Sequence, residues 1–419
     1  MTVYNPELTW IDGQFLSGKS ISVEQGKILS IDDSGDGTTP GAFLPGFVNT
    51  HSHAFQRGLR GLGETFSGGA NSFWNWRDEM YSLVSQQTPT SFRELCVQAF
   101  SEMRLSGITT VGEFHYLHHD ANEDYAFDQI VLESASEVGI RIVLLNACYM
   151  HAGFDEAIKK EQRRFLTADI DQWWDQVDHL ASNVDGDMQR IGTVAHSVRA
   201  VDIDSIANIS SGALHRGMPM HIHVEEQRQE ISACIDKHGM TPLALLNDNL
   251  DVSPLLTAVH CTHTAASDME QWLSNGGNVC LCPLTEANLA DGVCDVRRIV
   301  SCDGTVSIGT DSNARISMIE EMRWIEYAQR LVREERGVAI NSEGKMAPYL
   351  IDTATRNGAR ALGIPAGSIE VGKYADFVVV DLSNAQLFGV TPELLPTAIC
   401  CGGDNSLINS TIVNGKASP

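Results

Sequence analysis

Apolar, β-branched runs recur along the chain at 44–51, 108–116, 141–149, 190–196, 218–224, 256–262, 277–283 and 305–310. Stretches of helical length and mixed polarity lie between them, at 89–106, 124–138, 168–184, 202–216, 226–237, 266–275 and 317–335. Strands that alternate with helices predict parallel neighbours, because a parallel pair needs a crossover and its buried strands read as continuous apolar runs. Eight such units predict an α/β fold, a TIM-like (β/α)8 barrel over 44–365. The ends read differently. Residues 1–43 and 366–419 carry short strand-like pieces, among them Ile21-Ser22-Val23 and Phe377-Val378-Val379-Val380, punctuated by Gly and Asp. They predict a small β-sandwich domain built from both termini.

Barrel enzymes carry their chemistry at the C-terminal ends of the strands, and polar residues gather at those ends here. The first run leads into Asn49-Thr50-His51-Ser52-His53. With side chains alternating, His51 and His53 face one way and can share a metal. Later runs end in Glu113-Phe114-His115-Tyr116, His196-Ser197-Val198-Arg199, His221-Ile222-His223-Val224-Glu225-Glu226, His260-Cys261-Thr262-His263 and Gly309-Thr310-Asp311-Ser312-Asn313. Each alone reads as a core histidine or a capping aspartate. Together they predict one mouth that receives histidines from the first, second, fourth, fifth and sixth strands and a carboxylate from the eighth. His221 competes with His223, one pleat deeper on the same side. Period two places Glu225, not Glu226, on the face of His223. Arg77 reads equally well as a surface ion pair with Asp78 or Glu79.

Composition narrows the partners. The 419 residues include 29 Lys+Arg against 54 Asp+Glu, a formal charge of −25. Such a balance disfavours nucleic acid and anionic membranes, whose binding depends on Lys and Arg. An anionic substrate then needs basic groups gathered locally. The opening residues, Met1 to Ser30, lack the basic start and apolar stretch of a secretory leader, and no run reaches the ~18 apolar residues of a membrane span. Ten scattered cysteines without a zinc-finger pattern read as reduced core thiols, and the expected location is the cytoplasm. Glycines 61, 63, 68 and 69 make the stretch 60–70 a candidate lid over the mouth, with Trp74 and Trp76 as anchors.

The ordered set HxH, HxHxxE, HxxH and TDS along an eightfold β/α pattern resembles the amidohydrolase superfamily. So does the tail Gly367-Ser368-Ile369-Glu370-Val371-Gly372-Lys373-Tyr374-Ala375-Asp376. Within it, His51 to Arg57, Phe73-Trp74-Asn75-Trp76-Arg77, Glu113 to Tyr116, His196 to Ala200 and Thr285-Glu286-Ala287-Asn288-Leu289 resemble the N-formimino-L-glutamate deiminases. The third and fourth runs end without a bridging lysine, and Lys159 and Lys160 lie in a charged loop, so one divalent metal is expected rather than two. The resemblance implies zinc on His51, His53, His223 and Asp311. It implies Asp311 as the base, His260 as the group that stabilises the attacking oxygen, and Glu226 as the acid for the departing nitrogen. The family's spacing selects Glu226 over Glu225. Arg77 and Arg199 are implied to take the carboxylates of a small dicarboxylate amidine, with Gln56, Tyr116 and His196 completing the pocket. The implied reaction is hydrolytic deimination, in an enzyme whose relatives are often homodimers. A deaminase or chlorohydrolase of a purine- or triazine-like heterocycle uses the same machinery without a carboxylate clamp. A silent scaffold barrel is the reading furthest from both, and it would lack metal ligands.

Overall fold

The computed structural model describes residues 1–62, 64, 73–120, 122 and 124–417. The glycine-rich stretch 60–70 lies mostly outside them, as does the side chain of Trp74.

Eight parallel strands follow one another in chain order: β1 (Phe47–Ser52), β2 (Ile108–His115), β3 (Arg141–Cys148), β4 (Gln189–Ser197), β5 (Met220–Val224), β6 (Leu256–His260), β7 (Asn278–Leu281) and β8 (Thr305–Ile308). Every residue of β1, β2, β3, β5, β6 and β7 is buried, as expected of strands covered on both faces. The ring closes at a seam beyond β8, where Ser52 bridges Asp311 in parallel. There the Asp311 N–H donates to the His51 carbonyl at 3.0 Å, and the His53 N–H donates to the Asp311 carbonyl at 2.9 Å. Gly309 permits the approach, since a Cβ at that position would lie 2.5 Å from the His51 carbonyl oxygen.

The first apolar run, expected as one strand over 44–51, is two strands. Thr39–Pro45 belongs to the terminal sheet and β1 starts at Phe47. Gly46 makes the crossing: a Cβ there would sit 2.2 Å from Thr109 Oγ1. Between β5 and β6 two helices, Arg228–His238 and Pro242–Asn249, stand where one was expected. The second opens with Thr241 accepting from the Ala244 N–H and Pro242 in the first turn, where its missing N–H costs nothing.

The termini build two sheets. A three-stranded antiparallel sheet (Thr2–Tyr4, Ser20–Glu24, Lys27–Asp32) packs on a six-stranded one, ordered Lys416–Ala417, Ile408–Val413, Phe377–Val380, Thr39–Pro45, Pro6–Ile11 and Gln14–Leu16. Parity sorts the side chains of its central strands. Phe43, Phe377 and Val379 meet Ile21, Val23 and Ile28 between the sheets, whereas Leu44, Val378 and Val380 join the core of the barrel. Arg141, the first residue of β3, fastens the two units. Its Nε and Nη2 donate to the Asp376 carboxylate at 3.1 Å each, and its guanidinium lies 3.6 Å from the Tyr374 ring centroid. Both partners of this forked pair are buried. Among the described residues, no helix is long and apolar enough to cross a membrane.

Candidate active site

The C-terminal ends of β1 and β5 and the seam residue Asp311 converge on one small volume. His51 Nε2 lies 3.2 Å from His223 Nε2 and 3.4 Å from Asp311 Oδ1, and His53 Nε2 lies 3.3 Å from the same oxygen. Donors bound to a tetrahedral zinc at about 2.0–2.1 Å stand about 3.3–3.4 Å apart, so this set fits a single ion. The tautomers agree. His53 Nδ1 must donate to the Phe114 carbonyl at 2.7 Å, which leaves the Nε2 lone pair facing the group. Burial holds the His51 imidazole down to about 4 and pushes His223 well below its usual range, so both rings are neutral donors at pH 7. His221 is buried too, but it contributes no atom to the donor groups found among the described residues.

The backbone turns sharply at this mouth. Glu225, His260, Cys261, Asp311 and Asn313 have φ of 55°, 74°, 50°, 44° and 54°, a left-handed region unfavourable for residues with a Cβ. The turn at Glu225 decides between the two glutamates. Alternation alone would set Glu225 beside His223. Instead its carboxylate accepts the Leu243 N–H at 3.0 Å, and Glu226 lines the cavity, 3.9 Å from His260 Nε2. Asp311 is held by buried neighbours. Asn49 accepts from the Thr310 N–H at 3.0 Å and donates to Thr310 Oγ1 at 2.7 Å. Thr310 Oγ1 donates to Asn313 Oδ1 at 2.6 Å, and Asn313 Nδ2 donates to Ser52 Oγ at 3.1 Å and to the His53 carbonyl at 3.0 Å.

His260 stands between acids. Its Nε2 faces Asp311 Oδ2 at 3.8 Å, and its Nδ1 faces Glu286 Oε1 at 3.4 Å. That Glu286 oxygen also accepts the Cys282 N–H at 2.9 Å. Burial alone would lower the imidazole, but the charge of Glu226 and the contacts with Glu286 and Asp311 carry it well above its ordinary range. Burial raises the Glu226 carboxyl, with the His260 charge opposing. Such an array can hold an ion, hold an oxygen beside it, and deliver a proton across a few ångströms.

The expected substrate residues line the same cavity. Gln56 Nε2 lies 2.7 Å from Tyr116 OH, the His196 ring lies 4.6 Å from that of Tyr149, and the Arg77 guanidinium lies 5.6 Å from the Tyr81 ring centroid. Arg199 also lines it. Among the described residues no carboxylate stands within 4.0 Å of Arg199, and its buried Nε has no hydrogen-bond partner. His115 does not reach the mouth. On β2 the inward face goes to Phe114, which stacks on His223 at 4.1 Å, and parity turns His115 outward. It meets Asp128 Oδ1 at 3.0 Å, and His118 meets the same oxygen at 2.8 Å. Arg57 also faces away, on Glu102 at 2.6 Å.

Three polar residues of the site had no role in the sequence reading: Tyr81 and Tyr149, which line the cavity, and Glu286, which backs His260. Glu286 carried a signal, as an acid just after Pro283 and the end of β7. Tyr149 follows the last residue of β3, an end inspected only for a bridging group. Tyr81 lies on the helix Phe73–Gln86, and nothing in the local sequence aims it at the mouth.

Residues 42–417 match the amidohydrolase family. Formimidoylglutamate deiminase of Pseudomonas aeruginosa is 35% identical over 384 residues, 90% of this chain and 84% of that protein. A 5-methylthioadenosine/S-adenosylhomocysteine deaminase of Natronomonas pharaonis is 28% identical over 426 residues, 99% of this chain and 90% of the relative. The crystal structure of an amidohydrolase from Brucella melitensis aligns with a TM-score of 0.91 at 31% identity, covering 100% of this chain and 94% of that one. By its sequence over residues 42–417 and by the barrel that carries these strand-end residues, the chain belongs to the amidohydrolase family.

Proposed function

We propose that this enzyme hydrolyses N-formimino-L-glutamate to N-formyl-L-glutamate and ammonia. One observation carries the substrate class: Arg199 lines the cavity with no carboxylate within 4.0 Å among the described residues, the acids that act on it, Glu230 and Glu226, standing farther off. A guanidinium so placed is a site for a carboxylate, which it matches with a planar fork of donors. Arg77 lines the same cavity and supplies a second cation for a dicarboxylate. The Pseudomonas relative supports the same reading.

His51, His53, His223 and Asp311 would hold one divalent metal, zinc by the chemistry of three imidazoles and a carboxylate. When bound, such an ion supplies Lewis acidity and makes water more acidic. The chain does the rest. Asp311 accepts a proton from the water that attacks the amidine carbon. His260 donates a hydrogen bond to the incoming oxygen, oriented from behind by Glu286. Glu226, whose carboxyl burial raises, gives a proton to the imino nitrogen as the oxygen adds. Asp311 then passes the water's proton to that nitrogen, which leaves as ammonia, and the adduct's hydroxyl returns a proton to Glu226. The water oxygen becomes the formyl oxygen.

The Natronomonas relative favours a second reading, deamination of a nucleoside. Such a substrate brings no carboxylate to Arg199. Ammonia release measured with N-formimino-L-glutamate and with 5-methylthioadenosine separates the two. Release from the amidine alone is expected, and release from the nucleoside alone overturns the proposal. A chelator abolishes turnover, and about one equivalent of zinc per chain restores it.

A further inference from the structure

Gln162, in the short helix Lys160–Phe165, is buried 81 residues along the chain from Tyr81 and 13 from Tyr149. Its Oε1 accepts the Lys159 N–H at 3.1 Å. A backbone N–H can only donate, so this contact fixes which way the amide faces. Nε2 is therefore the atom that meets Tyr149 OH at 2.7 Å and Tyr81 OH at 3.1 Å. An amide nitrogen carries two hydrogens and accepts nothing. Both phenol oxygens are acceptors here, and both phenolic hydrogens are left to point elsewhere. No acceptor among the described residues takes either hydrogen.

Both tyrosines line the cavity that holds Arg77, Arg199 and His196. Burial raises the Tyr149 phenol, so it keeps its proton. One nitrogen holds the two phenol oxygens close enough for a single carboxylate to accept from both. The neighbouring pair Gln56 and Tyr116 differs. Tyr116 OH accepts from Gln56 Nε2 at 2.7 Å and donates to Met80 Sδ at 4.0 Å, so its hydrogen already has an acceptor.

We propose that Tyr81 and Tyr149 are specificity-determining residues: two O–H donors, set by Gln162, that clamp one carboxylate of the ligand beside Arg199. This deepens the proposed function and rests on its dicarboxylate substrate, yet it extends to any five-carbon dicarboxylate. Neither tyrosine stood among the residues that the sequence pattern pointed to. The clamp explains how an acidic chain accepts a dianion with few cations, since neutral hydroxyls add donors to the site without adding charge.

Glutarate is the probe. Its binding to the full chain is measured by titration calorimetry for the wild type, Tyr81→Phe, Tyr149→Phe and the double variant. Each replacement removes only a hydroxyl, and thermal melting confirms that the fold is kept. Loss of a hydrogen bond to a charged acceptor weakens each single variant about tenfold or more, and the double variant further. With N-formimino-L-glutamate, KM rises in step while kcat stays within about twofold, a split that loosened packing around the metal ligands would not give. Affinity in the double variant equal to wild type overturns the clamp. So does a wild-type chain that fails to bind glutarate at millimolar concentration. Should glutarate bind in a tyrosine-dependent way while the amidine yields no ammonia, the clamp stands and the proposed reaction falls.

Discussion

The two ends of the barrel treat charge in opposite ways. At the floor, Arg141 meets Asp376 through two hydrogen bonds of 3.1 Å, and Asp376 also accepts the Asn414 N–H at 2.7 Å. At the mouth, Arg199 lines a cavity with no acid within 4.0 Å among the described residues, and five residues with side chains sit in left-handed backbone. A buried pair that is complete has nothing left to offer a ligand. A half-buried cation with no close counter-charge is open to a ligand's carboxylate. The difference separates what holds this barrel together from what it can bind.

Substitutions can test that separation, starting with the largest effect. Asp311→Ala lowers kcat for ammonia release about a thousandfold or more, with melting changed by only a few degrees. A loss under tenfold removes Asp311 from the chemistry. Asp376→Ala acts in reverse: it leaves Arg141 buried without its counter-charge and costs about 3–5 kcal/mol in urea unfolding, while kcat/KM of the folded protein is unchanged. If activity falls with stability there, the two ends are not independent. Arg199→Met raises KM by the equivalent of about 1–3 kcal/mol and leaves kcat nearly intact, read from steady-state kinetics. Glu286→Gln is the smallest. The amide oxygen still accepts the Cys282 N–H, but the charge behind His260 is gone, and kcat falls about tenfold with little change in KM.

Most of the barrel was legible because its strands are buried on both faces and read as apolar runs that need no partner for recognition. Strand ends were legible only as far as alternation holds. It holds from His51 to His53, and it would have predicted His115 outward had the inward face of β2 been assigned from Phe114. It fails at Glu225, where φ of 55° breaks the period, and only the family spacing chose Glu226. The boundary at Gly46 was missed because apolar residues continue across it, although a Cβ there would collide with Thr109. Tyr81 and Gln162 were invisible for another reason. They come from the helix Phe73–Gln86 and the turn Lys160–Phe165, and no periodicity links elements so far apart.

The seam carries one more consequence. His51 and His53 belong to the first strand of the ring, while Asp311 follows the last, and the Ser52 bridge joins them. A chain that is still folding keeps the two parts of the donor set apart until the final strand docks. Contacts so distant in sequence are slow to form. Turnover is therefore a clock for ring closure: after dilution from denaturant, ammonia release returns later than helical content.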